Sequence, residues 1–343
     1  MTSPATGGRW RAFVDGEFAA ATVDGDARWR ALAARGDTNT VFQQPHWQRT
    51  WWEVHGRGEL VVISVANDDG HVVAVAPLFV DGAMAFLVGS GGSDYLDFIG
   101  DAAWPGVVEA IVSTVFGRFP GLLGLRLYHV PDASRTGARL QQAAAALGLV
   151  CHDEGDLAAP ALALDADGHA GRRAAARTSL RRHERACAAA GTLTVEHLRG
   201  AEQIVPRLDT FFDQHRRRWR DTAFPSLFEN AAQRHFYRRL AEGADADFGL
   251  RFTVVAVDGR PWACHYGFTF GGSYLWYKPS FEIEFACHSP GEVLLRQLML
   301  AAVDEQARVF DFGLGDEPFK HRFADRCPRV RNWGVYPLAE SSR

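Results

Sequence analysis

One pattern of residues occurs twice along the 343-residue chain, and it constrains the fold more than any other feature. In the first half, apolar alternation on both sides of Asp69-Gly70 predicts a β-hairpin. The same pattern surrounds Asp258-Gly259 in the second half, and Pro105 and Pro290 each stand at the start of a helix predicted further along. One more strand follows each helix. The repetition predicts two related structural units.

Strands and helices alternate within each half, which is typical of α/β proteins. Strands joined by short turns pair antiparallel, whereas a helical connection allows two strands to run parallel. We therefore predict an α/β fold with two tandem units, each a mixed, largely antiparallel sheet flanked by helices. The boundary is expected in the Ala-, Asp- and Gly-rich segment 158–171, which gives domains 1–165 and 166–343.

Composition and residue spacing argue against several classes of protein. No run of about 18 apolar residues occurs, so we expect no membrane span. The start of the chain, Met1–Gly8, lacks the apolar core of a secretory signal. The five cysteines form no C-x-x-C pair, and neither the 151–154 segment nor His183 with Cys187 has a matching second pair of ligands. We expect a reduced, cytoplasmic protein without a disulfide framework or a metal site.

The charge is divided unequally between the two halves. Residues 1–165 carry a net charge of -8, whereas residues 166–343 carry +4, in agreement with the -4 of the whole chain. An anionic ligand is therefore expected in the second half. Only Lys278 and Lys320 among the 37 basic residues are lysines. Because lysine presents a compact ammonium where arginine presents a planar fork, these two positions are candidates for a specific role.

The most unusual stretch of the second half runs from Phe310 to Phe323. An apolar strand ends in a glycine-punctuated loop with Asp316 and Glu317, and two phenylalanines then flank Lys320. We predict that Lys320 binds a phosphate or stabilises a developing negative charge, and that Asp316 orients an amine or acts as a base. A solvated acidic turn at a strand end is the structural alternative.

Two predicted strands carry polar groups that can line a cleft. His265 lies on one of them, and Tyr277 and Lys278 lie on the next. We take His265 as a candidate proton carrier, although a lone histidine on an apolar strand is more often a structural residue. In the first half, a glycine-rich loop precedes the predicted strand 95–99 and exposes candidate ligands for an amine, with a simple turn as the alternative. These candidates are Asp94, Tyr95 and Asp97.

Anion binding is predicted at two places in the second half. The start of the helix near Pro290 can present backbone amides to a phosphate, with Ser289 as its cap and Gly291 in its first turn. An ordinary helix cap is the alternative, and Glu292 would compete with an anion there. A basic helix predicted over 172–190 can meet donor phosphates or form a solvated face. Its candidate residues are Arg177, Arg181 and Arg182.

The order of these motifs resembles the GNAT acyltransferase superfamily. Within it, the chain is most similar to the double-GNAT branch that includes CelD-type proteins, which is related to the Fem-type peptidyltransferases. The resemblance spans roughly residues 40–335. The segments that carry it are Val73–Leu78, Ser93–Asp97, Arg177–Arg182, Asp258–Ala263, Ser289–Gly291 and Phe310–Phe323.

This resemblance implies two tandem GNAT-like domains, with the working cleft mainly in the second, and acyl transfer to an amine. The Arg/Gln-x-x-Gly-x-Gly/Ala pyrophosphate loop of ordinary GNAT enzymes is missing, and Ser289–Gly291 stands at the corresponding junction. Both an acyl-CoA and an aminoacyl-tRNA therefore remain open as co-substrate, with no tightly bound cofactor. The expected acceptor is a small-molecule or peptide amine; tRNA is a candidate partner, and DNA is not.

The implied mechanism is direct attack by the amine, with stabilisation of the tetrahedral oxyanion. The resemblance gives the charge-stabilising role to Lys320, as in the Phe-Lys-x-x-Phe segment of the Fem-type branch. Asp316 or His265 is expected to take the amine proton, and Tyr277 to donate to the leaving group. Asp94 orients the acceptor. The alternative is a catalytically inactive GNAT-like binding or scaffold protein in a biosynthetic pathway.

Overall fold

A computed structural model describes residues 10–18 and 25–338, which form two compact units. The second unit is Ala158–Pro328, and the first contains the described residues on either side of it. The strands are β1 (Arg11–Asp15), β2 (Glu59–Ala66), β3 (Val72–Asp81), β4 (Met84–Leu87), β5 (Ile99–Gly100), β6 (Gly124–Pro131), β7 (Leu149–Ala158), β8 (Ala161–Ala163), β9 (Leu193–Leu198), β10 (Leu250–Val257), β11 (Arg260–Phe270), β12 (Ser273–Phe281), β13 (Val309–Asp311) and β14 (Arg329–Pro337). The helices are α1 (Asp26–Ala33), α2 (Pro45–His55), α3 (Val107–Arg118), α4 (Thr136–Leu147), α5 (His169–Ala175), α6 (Thr178–Ala190), α7 (Ala201–Ile204), α8 (Leu208–Trp219), α9 (Ala231–Glu242), α10 (Pro290–Asp304) and α11 (Pro318–His321).

The sheets of the two units share one topology. In the first unit the strand order is β1-β2-β3-β4-β6-β14-β7, with β5 beside β3, and in the second it is β8-β13-β12-β11-β10-β9. In the first sheet β1, β2, β3 and β4 pair antiparallel, and in the second sheet β9, β10, β11 and β12 do the same. β4 then pairs in parallel with β6, and β12 pairs in parallel with β13. α3 and α10 connect these parallel pairs. The predicted α/β fold of two tandem, mixed sheets is confirmed.

The two units do not divide the chain at the boundary expected from the sequence. That boundary placed 158–165 in the first domain and the end of the chain in the second. In the structure β8 pairs with β13, so it belongs to the second sheet. β14 pairs antiparallel with β6, so it belongs to the first sheet. Hydrogen bonding between strands, which the local composition does not encode, decides both assignments.

Apolar residues at helical spacing explain why α10 forms and packs as it does. Pro290 occupies the first turn, and Leu294 and Leu298 repeat on one buried face. That face packs with Ala263 and Trp276 in the core of the second unit. No helix in the described part of the chain is long and apolar enough to span a membrane.

Two local predictions are wrong. Tyr95–Ile99 was expected to be a strand, but Ile99 is the only one of these residues that pairs with a neighbouring strand, and Asp97 instead accepts hydrogen bonds from Thr38 and Thr136. The single basic helix expected over 172–190 is two helices, α5 and α6, with Arg177 in an extended conformation (ψ 138°) between them. The second difference matters for function because it gives Arg177 a position of its own.

Candidate functional site

The two parallel strands of the second unit are paired over a short length only. Ser273–Leu275 pairs with Val309–Asp311, and β12 then continues to Phe281 while the chain leaves the sheet after β13. The second half of β12 therefore has no paired strand on its β13 side among the described residues. We take this parting of β12 and β13 as the centre of the candidate site.

A β-bulge shapes β12 at the point where the strands part. Trp276 and Tyr277 both lie opposite Gly267 of β11. The Tyr277 amide donates to His265 Nε2 at 3.1 Å, and a side chain at position 267 would place its Cβ 2.1 Å from His265 Cε1. Glycine at position 267 thus leaves room for the His265 ring, which accepts a hydrogen bond from the Tyr277 amide in the bulge.

Burial lowers the pKa of His265 to about 3, so its imidazole is neutral at physiological pH. The ring is fully buried and stacks on Trp276. A proton carrier needs contact with substrate or solvent and a pKa near the working pH. The geometry therefore gives His265 a structural role and does not support the predicted proton transfer.

Lys278 is the lysine that the structure places on the continuing half of β12. Its Nζ lies 3.7 Å from the centroid of the Tyr277 ring, and its side chain is partly exposed. The Tyr277 hydroxyl in turn accepts a hydrogen bond from the Tyr237 hydroxyl of α9 at 3.0 Å. These residues, together with His215 of α8, form what we call the Lys278 cluster.

His215 was not singled out from the sequence. It is buried, with Nδ1 2.8 Å from Ser226 Oγ. Burial is the main cause that lowers its pKa to about 3, and the nearby charges of Lys278 and Arg218 lower it further. The sequence signal for its burial was its position four residues after Phe211, which places both residues on the same, apolar side of α8.

Lys320 lies on α11 with its ammonium directed into the loop that follows β13. Nζ donates to the Leu314 carbonyl at 2.6 Å and lies 3.4 Å from the carbonyl oxygens of Gly313 and Gly315. It also pairs with Glu317 at 2.9 Å, and only 4% of the lysine side chain is exposed. The ammonium is committed to backbone carbonyls, which indicates a positioning role for Lys320.

Asp316 lies on the surface of the same loop. Its carboxylate is 2.5 Å from His321 Nε2, and 77% of its side chain is exposed. This carboxylate does not belong to the Lys278 cluster, so the structure gives no geometric support for its predicted role as the base.

The start of α10 differs from the predicted cap. Ser289 adopts a left-handed conformation (φ 55°), and its side chain accepts no hydrogen bond from the first turn. The Ser289 carbonyl accepts from the amides of Glu292 and Val293, and Pro290 has no amide hydrogen. The prediction that the Ser289 side chain caps α10 is therefore wrong. The amides of Glu292 and Val293 are already hydrogen-bonded, so they do not support phosphate binding beside Gly291.

Two arginines contact the ring of Phe323, and one of them reaches the first turn of α10. Arg177 and Arg322 place their guanidinium carbons 4.9 Å and 5.2 Å from the centroid of the Phe323 ring. Arg322 also pairs with Glu292 in the first turn of α10. We call Arg177 and Arg322 the Phe323 arginine pair; Arg322 was missed from the sequence. Arg181 and Arg182 are exposed on α6.

The candidates in the first unit lie mostly in its interior. Asp97 is buried and accepts hydrogen bonds from Thr38, Thr136 and the Phe98 amide. Burial raises its pKa in spite of these bonds, which act in the opposite direction. Tyr95 is buried beside Phe42, whereas Asp94 is partly exposed. Asp97 and Tyr95 therefore stabilise the first unit.

The family model described as "Acetyltransferase (GNAT) domain" matches residues 174–321. This region of the chain is therefore similar to a GNAT domain. The matched region contains the parting of β12 and β13, the Lys278 cluster and Lys320. No curated protein matches the sequence.

Solved structures show a similar fold over most of the length of this chain. FemX is 12% identical with a TM-score of 0.64, covering 91% of this chain and 96% of its own. A tandem GNAT protein from the clavulanic acid biosynthesis pathway is 14% identical with a TM-score of 0.55, covering 97% and 100%. L-PGS from Bacillus licheniformis is 11% identical with a TM-score of 0.54, covering 87% and 93%.

The two buried histidines, His215 and His265, predict that the second unit loses stability in acid. Their folded-state pKa of about 3 lies below the ordinary 6.5, so the unfolded chain binds more protons between these values. The contribution of each histidine to the free energy of unfolding is therefore fully present above pH 6.5. It decreases by about 1.4 kcal/mol for each unit by which the pH is lowered below that value.

We expect His215→Gln to remove one histidine's share of this slope in urea unfolding followed from pH 7 to pH 4. His235→Gln, on the exposed side of α9, is the matched control and should keep the wild-type slope. Equal slopes for wild type and His215→Gln would show that His215 is not held neutral.

Proposed function

We propose that the second unit transfers an acyl or aminoacyl group from a phosphorylated carrier to an amine. The amine nitrogen forms a bond to the carbonyl carbon, and the bond from that carbon to the carrier's sulfur or oxygen breaks. The observation that carries the proposal is the position of Lys278 on β12 beyond the parting, inside the matched GNAT domain. An ammonium there is suited to stabilise the oxyanion of the tetrahedral intermediate.

The roles of the two lysines follow from their surroundings. Lys278 is partly exposed beside an aromatic ring, whereas Lys320 is buried against carbonyl oxygens. We therefore assign charge stabilisation to Lys278 and positioning of the 313–315 loop to Lys320. The Tyr277 hydroxyl, which Tyr237 orients, remains our candidate donor to the leaving group.

The proton of the attacking amine is assigned to water. His265 and His215 are both held neutral with pKa values of about 3, which makes them weak bases near pH 7. An amine that enters in its neutral form needs only a solvent molecule to accept the proton once the carbon–nitrogen bond has formed. This assignment predicts a rate that rises with pH as the acceptor amine deprotonates.

The Phe323 arginine pair is our proposed contact for the donor's phosphates, because it places two guanidinium groups over the same aromatic ring and Arg322 reaches the first turn of α10. Arg177→Ala is expected to raise the dissociation constant of the donor about tenfold through loss of a charge-assisted contact. Isothermal titration with the donor measures this change. Arg173→Ala on α5 is the control, since that exposed arginine lies outside the pair. Equal losses in both variants would mean that only the net charge matters.

The carrier is identified by direct binding. The purified chain is incubated with a panel of acyl-CoAs and with aminoacyl-tRNAs, and single-turnover amide formation is followed for each. Saturation by a thioester supports acyl-CoA, and loss of activity on treatment with ribonuclease supports aminoacyl-tRNA. Absence of transfer from every donor, with a stable protein partner in native mass spectrometry, supports the inactive scaffold instead. The engaged amides at the start of α10 are the observation that keeps this alternative open.

A further inference from the structure

Three side chains of different chemistry meet on the surface of the second unit. Asp316, His321 and Cys327 each offer one ligand atom, and these atoms lie within 4.8 Å of one another. All three residues are exposed. They come from the loop after β13, from the end of α11 and from the segment that follows it. Carboxylate oxygen, imidazole nitrogen and thiolate sulfur are all ligands that Zn²⁺ accepts.

The backbone around these ligands is fixed by contacts that do not involve them. The Lys320 ammonium holds the loop carbonyls at 313–315, next to Asp316. Arg326, which precedes Cys327, exchanges two backbone hydrogen bonds with Ala161, at 2.9 Å and 3.2 Å. Glu317 is paired with Lys320 and so lies outside the group. The three ligands thus extend from anchored positions, which lowers the ordering cost of binding an ion.

The separation of Asp316 and His321 fits a zinc ion after a small side-chain rotation. His321 Nε2 and Asp316 Oδ1 are 2.5 Å apart. Oxygen and nitrogen ligands at about 2.0 Å from zinc are separated by roughly 3.3 Å in a tetrahedron. An exposed carboxylate can move this far without disturbing the core. The complex of a dipositive ion with one carboxylate, one thiolate and one neutral imidazole also has no net charge.

We propose that Asp316, His321 and Cys327 bind one Zn²⁺ ion, with the fourth tetrahedral position open to water or another small ligand. Binding removes the proton from the Cys327 thiol and releases it to solvent. The ion then joins the loop after β13, α11 and the 322–327 segment. This differs from the expectation from the sequence, in which no metal site was predicted.

Cobalt(II) titration of the full chain, stripped with a chelator and kept reduced with a non-chelating phosphine, tests this site. We expect one Co²⁺ per chain, visible bands of four-coordinate cobalt, and a near-ultraviolet band from charge transfer between thiolate and metal. Cys327→Ser should lose the charge-transfer band. His321→Ala and Asp316→Asn should each weaken binding at least tenfold. Zn²⁺ should displace the cobalt from the wild-type protein and raise its Tm.

The matched control is Cys287→Ser, because Cys287 is a second exposed free cysteine of the same unit outside the group. It should keep the stoichiometry, the charge-transfer band and the Zn²⁺-dependent rise in Tm. The proposal is overturned if the wild-type chain binds neither ion in a 1:1 ratio. It is equally overturned if Cys327→Ser keeps the thiolate band, or if His321→Ala binds as tightly as wild type. Far-UV circular dichroism confirms that each variant is folded.

Discussion

Lys278→Met is expected to lower the single-turnover rate of amide formation about a hundredfold, as loss of one oxyanion-stabilising group does in other enzymes. The methionine keeps the length and apolar stem of the side chain but removes its charge. The unfolding free energy should change by less than about 1 kcal/mol, because Lys278 is a partly exposed residue and a cation–π contact of its kind with the Tyr277 ring contributes little to stability. Rapid-quench measurement of product and urea unfolding provide the two readouts.

Two further variants make the Lys278 experiment specific. Lys278→Arg retains the positive charge in a different shape, so we expect a rate between those of wild type and Lys278→Met. Arg260→Met removes an exposed cation from β11, where it pairs with Glu284, and should keep the wild-type rate. A single-turnover rate of Lys278→Met within threefold of the wild-type rate would show that Lys278 does not stabilise the oxyanion.

Lys320→Met is expected to lower the unfolding free energy by about 2–4 kcal/mol, because the carbonyl groups of the 313–315 loop lose a buried, charged hydrogen-bond donor. The variant removes the ammonium and keeps most of the side-chain volume. Urea unfolding followed by circular dichroism measures the change. Transfer should also decrease, through displacement of the loop, and this effect should appear in both kcat and KM.

Glu317→Gln separates the two kinds of contact that Lys320 makes. Glu317 is exposed over 55% of its side chain, so its ion pair with Lys320 is screened and should contribute less than about 1 kcal/mol. A loss in Glu317→Gln as large as that in Lys320→Met would identify the ion pair, and not the carbonyl contacts, as the stabilising interaction. Unchanged stability in Lys320→Met would contradict the positioning role altogether.

Local patterns were sufficient to predict most elements of both sheets. The hairpins around Asp69-Gly70 and Asp258-Gly259 carry their own turn and alternation signals, and both form as β2–β3 and β10–β11. The break between α5 and α6 was missed because Arg, Ala and Ser around Arg177 are compatible with a continuous helix. β14 was missed because its partner β6 lies about 200 residues away along the chain.

The site was predictable in its residue types more than in their roles. Tyr277 and Lys278 were identified because they lie on a predicted strand beside the one that carries His265, and the structure places the two side chains together. Lys320 was identified from its rarity, but burial against the 313–315 carbonyls depends on the path of the loop, which periodicity does not encode. The group of Asp316, His321 and Cys327 has no regular spacing, so only the folded backbone brings it together.

The pairing of β14 between β6 and β7 has a consequence for synthesis of the protein. β6 and β7 are synthesised well before β14, because the whole of Ala158–Pro328 is translated in between. At 5–20 residues per second this interval lasts roughly 10 to 35 seconds. Throughout that time the nascent first unit lacks an inner strand and presents open β-edges, a state that favours aggregation or capture by chaperones.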